Sequence, residues 1–212
     1  MSDIKIGRMT LGAVATNCYF VYREDTSDVI FFDPSDSGSY IYEQLKDRGF
    51  CIKAIYLTHA HFDHIWGCNE LRELTGAKVY AYEEERVLCE SAEVNVSAQA
   101  GRPYTVKVDE YLRDNESREE CGMKFKVIAT PGHTIGSCCY YFEEAGILIS
   151  GDTLFQASVG RTDLPTGSES TLIRSISDKL MCLPDETKVY PGHGMSTSIG
   201  YERVNNPFIY SF

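Results

Sequence analysis

The chain has 212 residues, 43% of them hydrophobic and 24% charged, and its 20 basic against 31 acidic side chains leave a formal charge of −11. That length suits one domain over residues 1–212 with a sizeable core, and the acidic balance disfavours a phosphate-binding surface, so no nucleic-acid partner is expected. No stretch approaches the roughly 18 uninterrupted apolar residues of a membrane helix and the N-terminus has no apolar export segment, which predicts a cytoplasmic protein with no membrane partner.

In chain order, residues 4–9, 17–23 and 29–32 read as strands, with a turn around Gly12. Residues 37–48 read as a helix: Ile41 and Leu45 lie four apart, Ser37 or Ser39 is placed to cap it, and Gly49 ends it. A short buried strand over 52–57 runs directly into THAHFDH. A helix over 66–74, a strand over 78–81 and a charged helix over 83–91 follow. Residues 91–105 show neither period and are expected to form a loop with the length of a functional lid. Strands come next at 106–108, 123–129, 137–142 and 146–150. Residues 170–181 place Leu172, Ile176 and Leu180 on one helical stripe, 188–190 form the last strand, and YERVNNPF begins as one helical turn. Mixed strands and helices without a linker suit an α/β (α+β) domain of two packed sheets with helices outside.

The eight cysteines contain no C-x-x-C pair, and in a reducing compartment they read as free, mostly buried thiols. The histidines are more telling. All five fall inside short motifs: His59, His61 and His64 in THAHFDH, His133 in PGHT and His193 in PGHG. Each motif begins where an apolar strand stops, and ILIS before GDT adds Asp152 in the same way. With Asp63 and Asp152 the chain offers seven nitrogen and oxygen donors, enough for two adjacent metal ions. A purely structural zinc closes with four ligands, so seven point to a catalytic cleft. Alternate spacing aims His59 and His61 the same way, whereas Asp63 and His64 open the next helix and can face a second ion. Asp152, the one candidate outside the histidine segments, is the natural bridge. Such donors suit two zinc ions and admit iron or manganese.

Other polar residues keep two readings. Asp33 in FFDPS either fixes a histidine tautomer or caps the turn before Pro34. Arg161 either meets a substrate carboxylate or pairs with Asp163. Tyr104 and Phe155 either line an acyl pocket or pack the core.

THAHFDH, TPGHTIGS, SGDTLF and YPGHG, in that order across residues 58–194, resemble the metallo-β-lactamase superfamily, and within it the glyoxalase II-like (hydroxyacylglutathione hydrolase-like) enzymes. GDTLFQASVGRTDLPTGS and IGYERVNNPF resemble a short bacterial subgroup of these. The resemblance implies a four-layer αββα sandwich. It implies one metal on His59, His61, His133 and Asp152, and a second on Asp63, His64, Asp152 and His193. The implied reaction is thioester hydrolysis by a metal-bridging hydroxide, with Asp63 as the catalytic group that orients it. Full glyoxalase II grips glutathione with a helical C-terminal domain, whereas 19 residues follow His193 here. The expected partner is therefore a small acyl-thioester or ester, with the carrier and the oligomeric state left open. GRTD also resembles the mononuclear iron persulfide dioxygenases, whose last motif lacks the PGHG form. A lactonase of the same fold is the further alternative.

Overall fold

The computed structural model describes residues 3–209. Its first sheet runs β1 (Ile4–Leu11), β2 (Thr16–Arg23), β3 (Asp28–Phe32), β4 (Cys51–Tyr56), β5 (Lys78–Tyr82) and β6 (Glu110–Leu112) in spatial order. Short turns join β1 to β3 antiparallel, whereas β3 to β6 are parallel and need helical crossovers. These are α1 (Gly38–Asp47), the one-turn α2 (Phe62–Ile65), α3 (Cys68–Thr75) and α4 (Arg86–Glu90). The second sheet contains β7 (Ser117–Glu120), β8 (Met123–Ala129), β9 (Cys138–Phe142) and β10 (Ile147–Gly151), followed by β13 (Lys188–Pro191) and β14 (Thr197–Ser198), in the order 14-13-10-9-8-7. A small hairpin of β11 (Leu154–Phe155) and β12 (Ser158–Val159), then α5 (Glu169–Ser175) and α6 (Ile199–Asn205), complete the elements.

Alternation along each strand decides the layering. Side chains of successive strand residues point to opposite faces. In β2 and β3, Cys18, Phe20, Val29 and Phe31 turn toward α1, α3 and α4, where Ile41, Leu45, Leu71 and Leu88 meet them. Their neighbours Tyr19, Val21, Ile30 and Phe32 turn inward against Phe125, Val127, Tyr140 and Phe142 of the second sheet. The far face of that sheet, with Cys139, Tyr141 and Leu148, packs on Leu172, Ile176 and Ile199. Helix, sheet, sheet and helix therefore stack as the sequence predicts. Between the sheets the Tyr140 hydroxyl donates to Leu57 O at 2.7 Å and Cys138 N to Thr58 O at 2.9 Å. Both bonds anchor the backbone that leads into THAHFDH.

Several local expectations are corrected. The apolar pair Val106 and Val108 packs on the first core as loop, and Asp109, whose carboxylate accepts from Val79 N at 2.9 Å, brings the chain into the sheet only at β6. The helix expected over 66–74 is α3, which starts at Cys68; the separate turn α2 precedes it, and Gly67 between them lies against the backbone of Asp36 and Gly38 with no room for a Cβ. The helix over 170–181 widens into a π turn after Ser175. Ser37 precedes α1, but its side chain makes no capping bond. Residues 91–105 form the expected loop, stitched down by hydrogen bonds. Buried Asn95 donates to Leu88 O and Tyr104 O, and its own carbonyl receives Phe62 N at 3.1 Å, holding the start of α2. All eight cysteines are free. Among the described residues no helix is long and apolar enough to cross a membrane.

Candidate metal centre

Strand ends deliver the donors to one edge of the sandwich. β4 runs through Leu57 and Thr58 to His59 and His61, and α2 then carries Asp63 and His64. β8 leads to His133, β10 stops one residue before Asp152, and β13 stops two residues before His193. Donors on rigid supports hold their geometry better than donors on long loops.

All seven side chains singled out from the sequence come together. His61 Nδ1 lies 2.9 Å from His133 Nε2, which lies 3.2 Å from His59 Nε2. Beside this trio, Asp63 Oδ2 is 3.1 Å from His193 Nε2 and 3.6 Å from His64 Nε2. Asp152 spans the two groups: Oδ1 is 3.4 Å from His64 Nε2, and Oδ2 is 3.7 Å from His133 Nε2 and 3.5 Å from His193 Nε2.

The His133–His59 contact is not an ordinary hydrogen bond, because the surrounding acceptors assign both ring tautomers. His133 Nδ1 lies 2.7 Å from Arg161 O, which can only accept, so Nε2 presents a lone pair. The Thr58 hydroxyl donates to Asp33 Oδ2 at 2.7 Å and so accepts from His59 Nδ1 at 3.2 Å, leaving a lone pair on His59 Nε2. Two facing lone pairs repel unless a cation lies between them. His64 Nδ1 donates to Asp33 Oδ2 at 3.0 Å and turns Nε2 toward the Asp63 and Asp152 carboxylates. Three of the four buried side-chain polar atoms without a hydrogen-bond partner among the described residues are His61 Nε2, His64 Nε2 and Asp152 Oδ1, so the unmet polar groups concentrate here. A tetrahedral ion with bonds of about 2.0–2.1 Å spaces its ligand atoms by about 3.3 Å, close to the separations in the trio.

Charge follows the same division. Burial, reinforced by the neighbouring rings, pushes the pKa of His61 down to about 3 and holds His59 well below the usual range. Burial also lowers His133, so the trio is neutral at pH 7 and ready to ligate. Burial opposes charge on Asp63 and Asp152, but His64 and His193 keep both carboxyls below their ordinary value. The same carboxylates raise His64 and His193 against the pull of burial. Protons and divalent cations thus compete for one set of lone pairs.

A surrounding layer fixes the donors. Asp33 decides between its two readings: its oxygens accept from Thr58 N at 2.8 Å, the Thr58 hydroxyl and His64, and it sits at φ 52 to reach all three. Glu85, absent from the sequence-based candidates, joins two donor loops by accepting from Ala60 N, the Thr134 hydroxyl and Gly136 N. Its signal was available, since Glu85, Leu88 and Cys89 share the buried stripe of one helical turn. Thr16 donates to Asp63 Oδ2 at 2.8 Å, and Asn17 Nδ2 donates to Pro191 O and Gly194 O at 3.0 Å each, clamping the His193 turn. Gly192 within that turn has no substitute, because a Cβ there would fall on Asp152 Oδ1 and within 2.7 Å of His64 Cε1.

The donors floor a cleft of about 390 Å³. Phe155 lines it, its ring centroid 6.3 Å from that of His193. Arg161 lines it too, but its guanidinium is engaged by Asp163. Tyr104 does not: it packs on the first core and its hydroxyl accepts from Asn69 N at 2.8 Å. A larger cavity of about 710 Å³ lies along β7, β8 and β9, among charged side chains and away from every donor.

The sequence profile of the metallo-beta-lactamase superfamily matches residues 11–193. The chain belongs to this superfamily. Within the metallo-beta-lactamase superfamily it is 38% identical to a probable metallo-hydrolase, YqgX, of Bacillus subtilis (strain 168), over 99% of both chains. It is 32% identical to the hydroxyacylglutathione hydrolase GloC of Haemophilus influenzae, over 94% of this chain and 95% of that one. Among solved structures, the BLEG-1 B3 metallo-beta-lactamase superposes with a TM-score of 0.93 at 38% identity, covering 98% of this chain and 100% of the other. TTHA1623 in a di-iron-bound form gives 0.83 at 34% identity over 95% and 99%. The protein is a metallo-hydrolase of the superfamily, with a histidine and aspartate cluster suited to divalent metals.

Proposed function

We propose that this superfamily member is a dinuclear metal-dependent hydrolase that cleaves a thioester, or a related ester, of a small acyl group. The observation that carries the proposal is the division of seven donors into two groups that share Asp152. His59, His61 and His133 with Asp152 would hold one cation, and Asp63, His64 and His193 with Asp152 the other. When bound, two divalent cations supply a Lewis acid for a carbonyl oxygen and lower the pKa of coordinated water toward ~7. The protein side chains do the positioning. The Arg161 carbonyl and Asp33 keep His133 and His64 in the tautomers that ligate. Thr16 fixes Asp63 at the cleft floor, where its carboxylate orients the attacking water and can relay its proton. Phe155 and Val159 shield the acyl side of the cleft.

Thioester chemistry is supported by the GloC relative. Nitrogen and oxygen donors favour zinc, and the di-iron neighbour makes iron the second candidate. The placement of His193 against Asp63 favours two ions over the mononuclear iron of a persulfide dioxygenase. The test is metal analysis of the purified protein together with a panel of thioesters, lactones and a β-lactam. Two ions per chain, thioester cleavage without oxygen uptake, and loss of both metal and turnover in Asp152→Ala are expected. One iron per chain with oxygen uptake would overturn the proposal.

A further inference from the structure

The cleft holds more information than its floor. Beside the donors, its walls among the described residues are Val14, Phe62, Phe155, Val159 and Leu164, which are apolar, with Ser158 and Arg161. Arg161 is thus the single arginine or lysine in the lining, and its guanidinium is engaged by a carboxylate. Its Nε donates to Asp163 Oδ1 and its Nη2 to Asp163 Oδ2, both at 2.7 Å, a planar two-bond pairing that matches guanidinium to carboxylate. Asp163 lies outside the lining, so the guanidinium is drawn to the rim, while the Arg161 carbonyl stays tied to His133. The Arg161 hydrogen bonds hold the Asp163 carboxyl below its ordinary value, so it is ionised and able to pair with the guanidinium at physiological pH.

A substrate with carboxylates on its carrier would lose their hydration against these apolar walls and find no unpaired guanidinium or ammonium group there in return. An uncharged, apolar carrier loses nothing and gains burial.

We infer that the cleft selects thioesters or esters whose non-reacting portion is uncharged and apolar, and that Asp163 sets this selectivity by occupying Arg161. The inference rests on the hydrolase reading above and names its substrate class. Arg161 and Asp163 act here as specificity determinants; neither touches the reacting carbonyl.

The experiment compares two thioesters with the same lactoyl group, one on glutathione and one on neutral N-acetylcysteamine. With the zinc-loaded protein, kcat/KM for the neutral carrier should exceed that for glutathione at least tenfold. Asp163→Asn, which frees the guanidinium, should shrink that ratio fivefold or more, and Asp163→Asn with Arg161→Ala should restore it. A general structural defect would depress both substrates and leave the ratio in place. A second readout needs no turnover: the cobalt-loaded protein is titrated with glutathione and with N-acetylcysteamine, and thiolate binding is followed in the visible spectrum. Tighter binding of the neutral thiol, reduced by Asp163→Asn, supports the inference even where neither thioester is cleaved, an outcome that would sink thioester hydrolysis alone. A wild-type preference for glutathione, equal response to the two thiols including none from either, or a ratio unmoved by Asp163→Asn overturns it.

Discussion

Glu85 offers a direct test of how the donor loops are held. Its side chain is 1% exposed, and its oxygens accept from Ala60 N at 2.7 Å, the Thr134 hydroxyl at 2.8 Å and Gly136 N at 3.0 Å. These three bonds favour the carboxylate, but burial outweighs them and pushes the pKa from 4.5 up to about 7. A folded-state pKa above the unfolded one means that the folded chain keeps its proton to higher pH. The stability contributed by this group is therefore fully present below pH ~4.5 and is lost as pH rises through ~7. Between pH 5.5 and 8 the expected loss is about 2 kcal/mol.

Glu85→Gln cannot titrate, so the variant lacks that slope. Urea unfolding of metal-free wild type and variant at pH 5.5 and 8 measures it, and the groups common to both cancel in the comparison. The gap between the two proteins should shift by about 2 kcal/mol in favour of the variant on going to pH 8. The variant should nevertheless bind metal less well at pH 8, by roughly tenfold, because one amide oxygen cannot serve backbone donors from both loops. A stability difference that is identical at the two pH values would refute the account of Glu85 as a buried carboxylate strained by desolvation. Unchanged metal affinity would refute its role in tying the loops.

Two further substitutions probe the same scaffold. Asp33→Asn places an amide N–H₂ or a weaker acceptor against the Thr58 donors and His64 Nδ1, and should weaken metal binding by roughly 10–100-fold in a chelator competition while circular dichroism stays native. Gly192→Ala forces a methyl group onto Asp152 Oδ1, so the dialysed variant should retain fewer than two metal ions per chain by elemental analysis; full occupancy would show that the His193 turn yields without disturbing Asp152.

What could be read from the sequence follows from how rare each signal is. The layered fold was legible because β2, β3, β8, β9 and β10 are apolar on both faces or on the inward face, and Gly49 and Gly76 punctuate the helices between strands. β7 was not, because Ser117–Glu120 is an edge strand with no apolar period, and Arg118 pairs with Glu110, Glu116 and Glu120 around it. The stretch 106–108 misled for the opposite reason: its alternating valines pack on a core without joining a sheet.

The same contrast separates the donors from their supports. Five histidines, all in strand-end motifs, are chemically conspicuous, and every one arrives at the cluster. Their supports are common residue types made special by burial and by distant partners: Thr16 meets Asp63 across 47 positions, and Asn17 meets Pro191 across 174. No local pattern encodes such a pairing. Glu85 is the instructive intermediate, since its neighbours Glu83 and Glu84 are solvated and only its spacing to Leu88 and Cys89 marks it as inward. An acid on the apolar stripe of a helix is costly unless it is hydrogen-bonded, and here every bond it makes goes to a donor-bearing loop. Side chains of that kind, placed against the hydrophobic pattern, are where a sequence points past packing toward the organisation of a site.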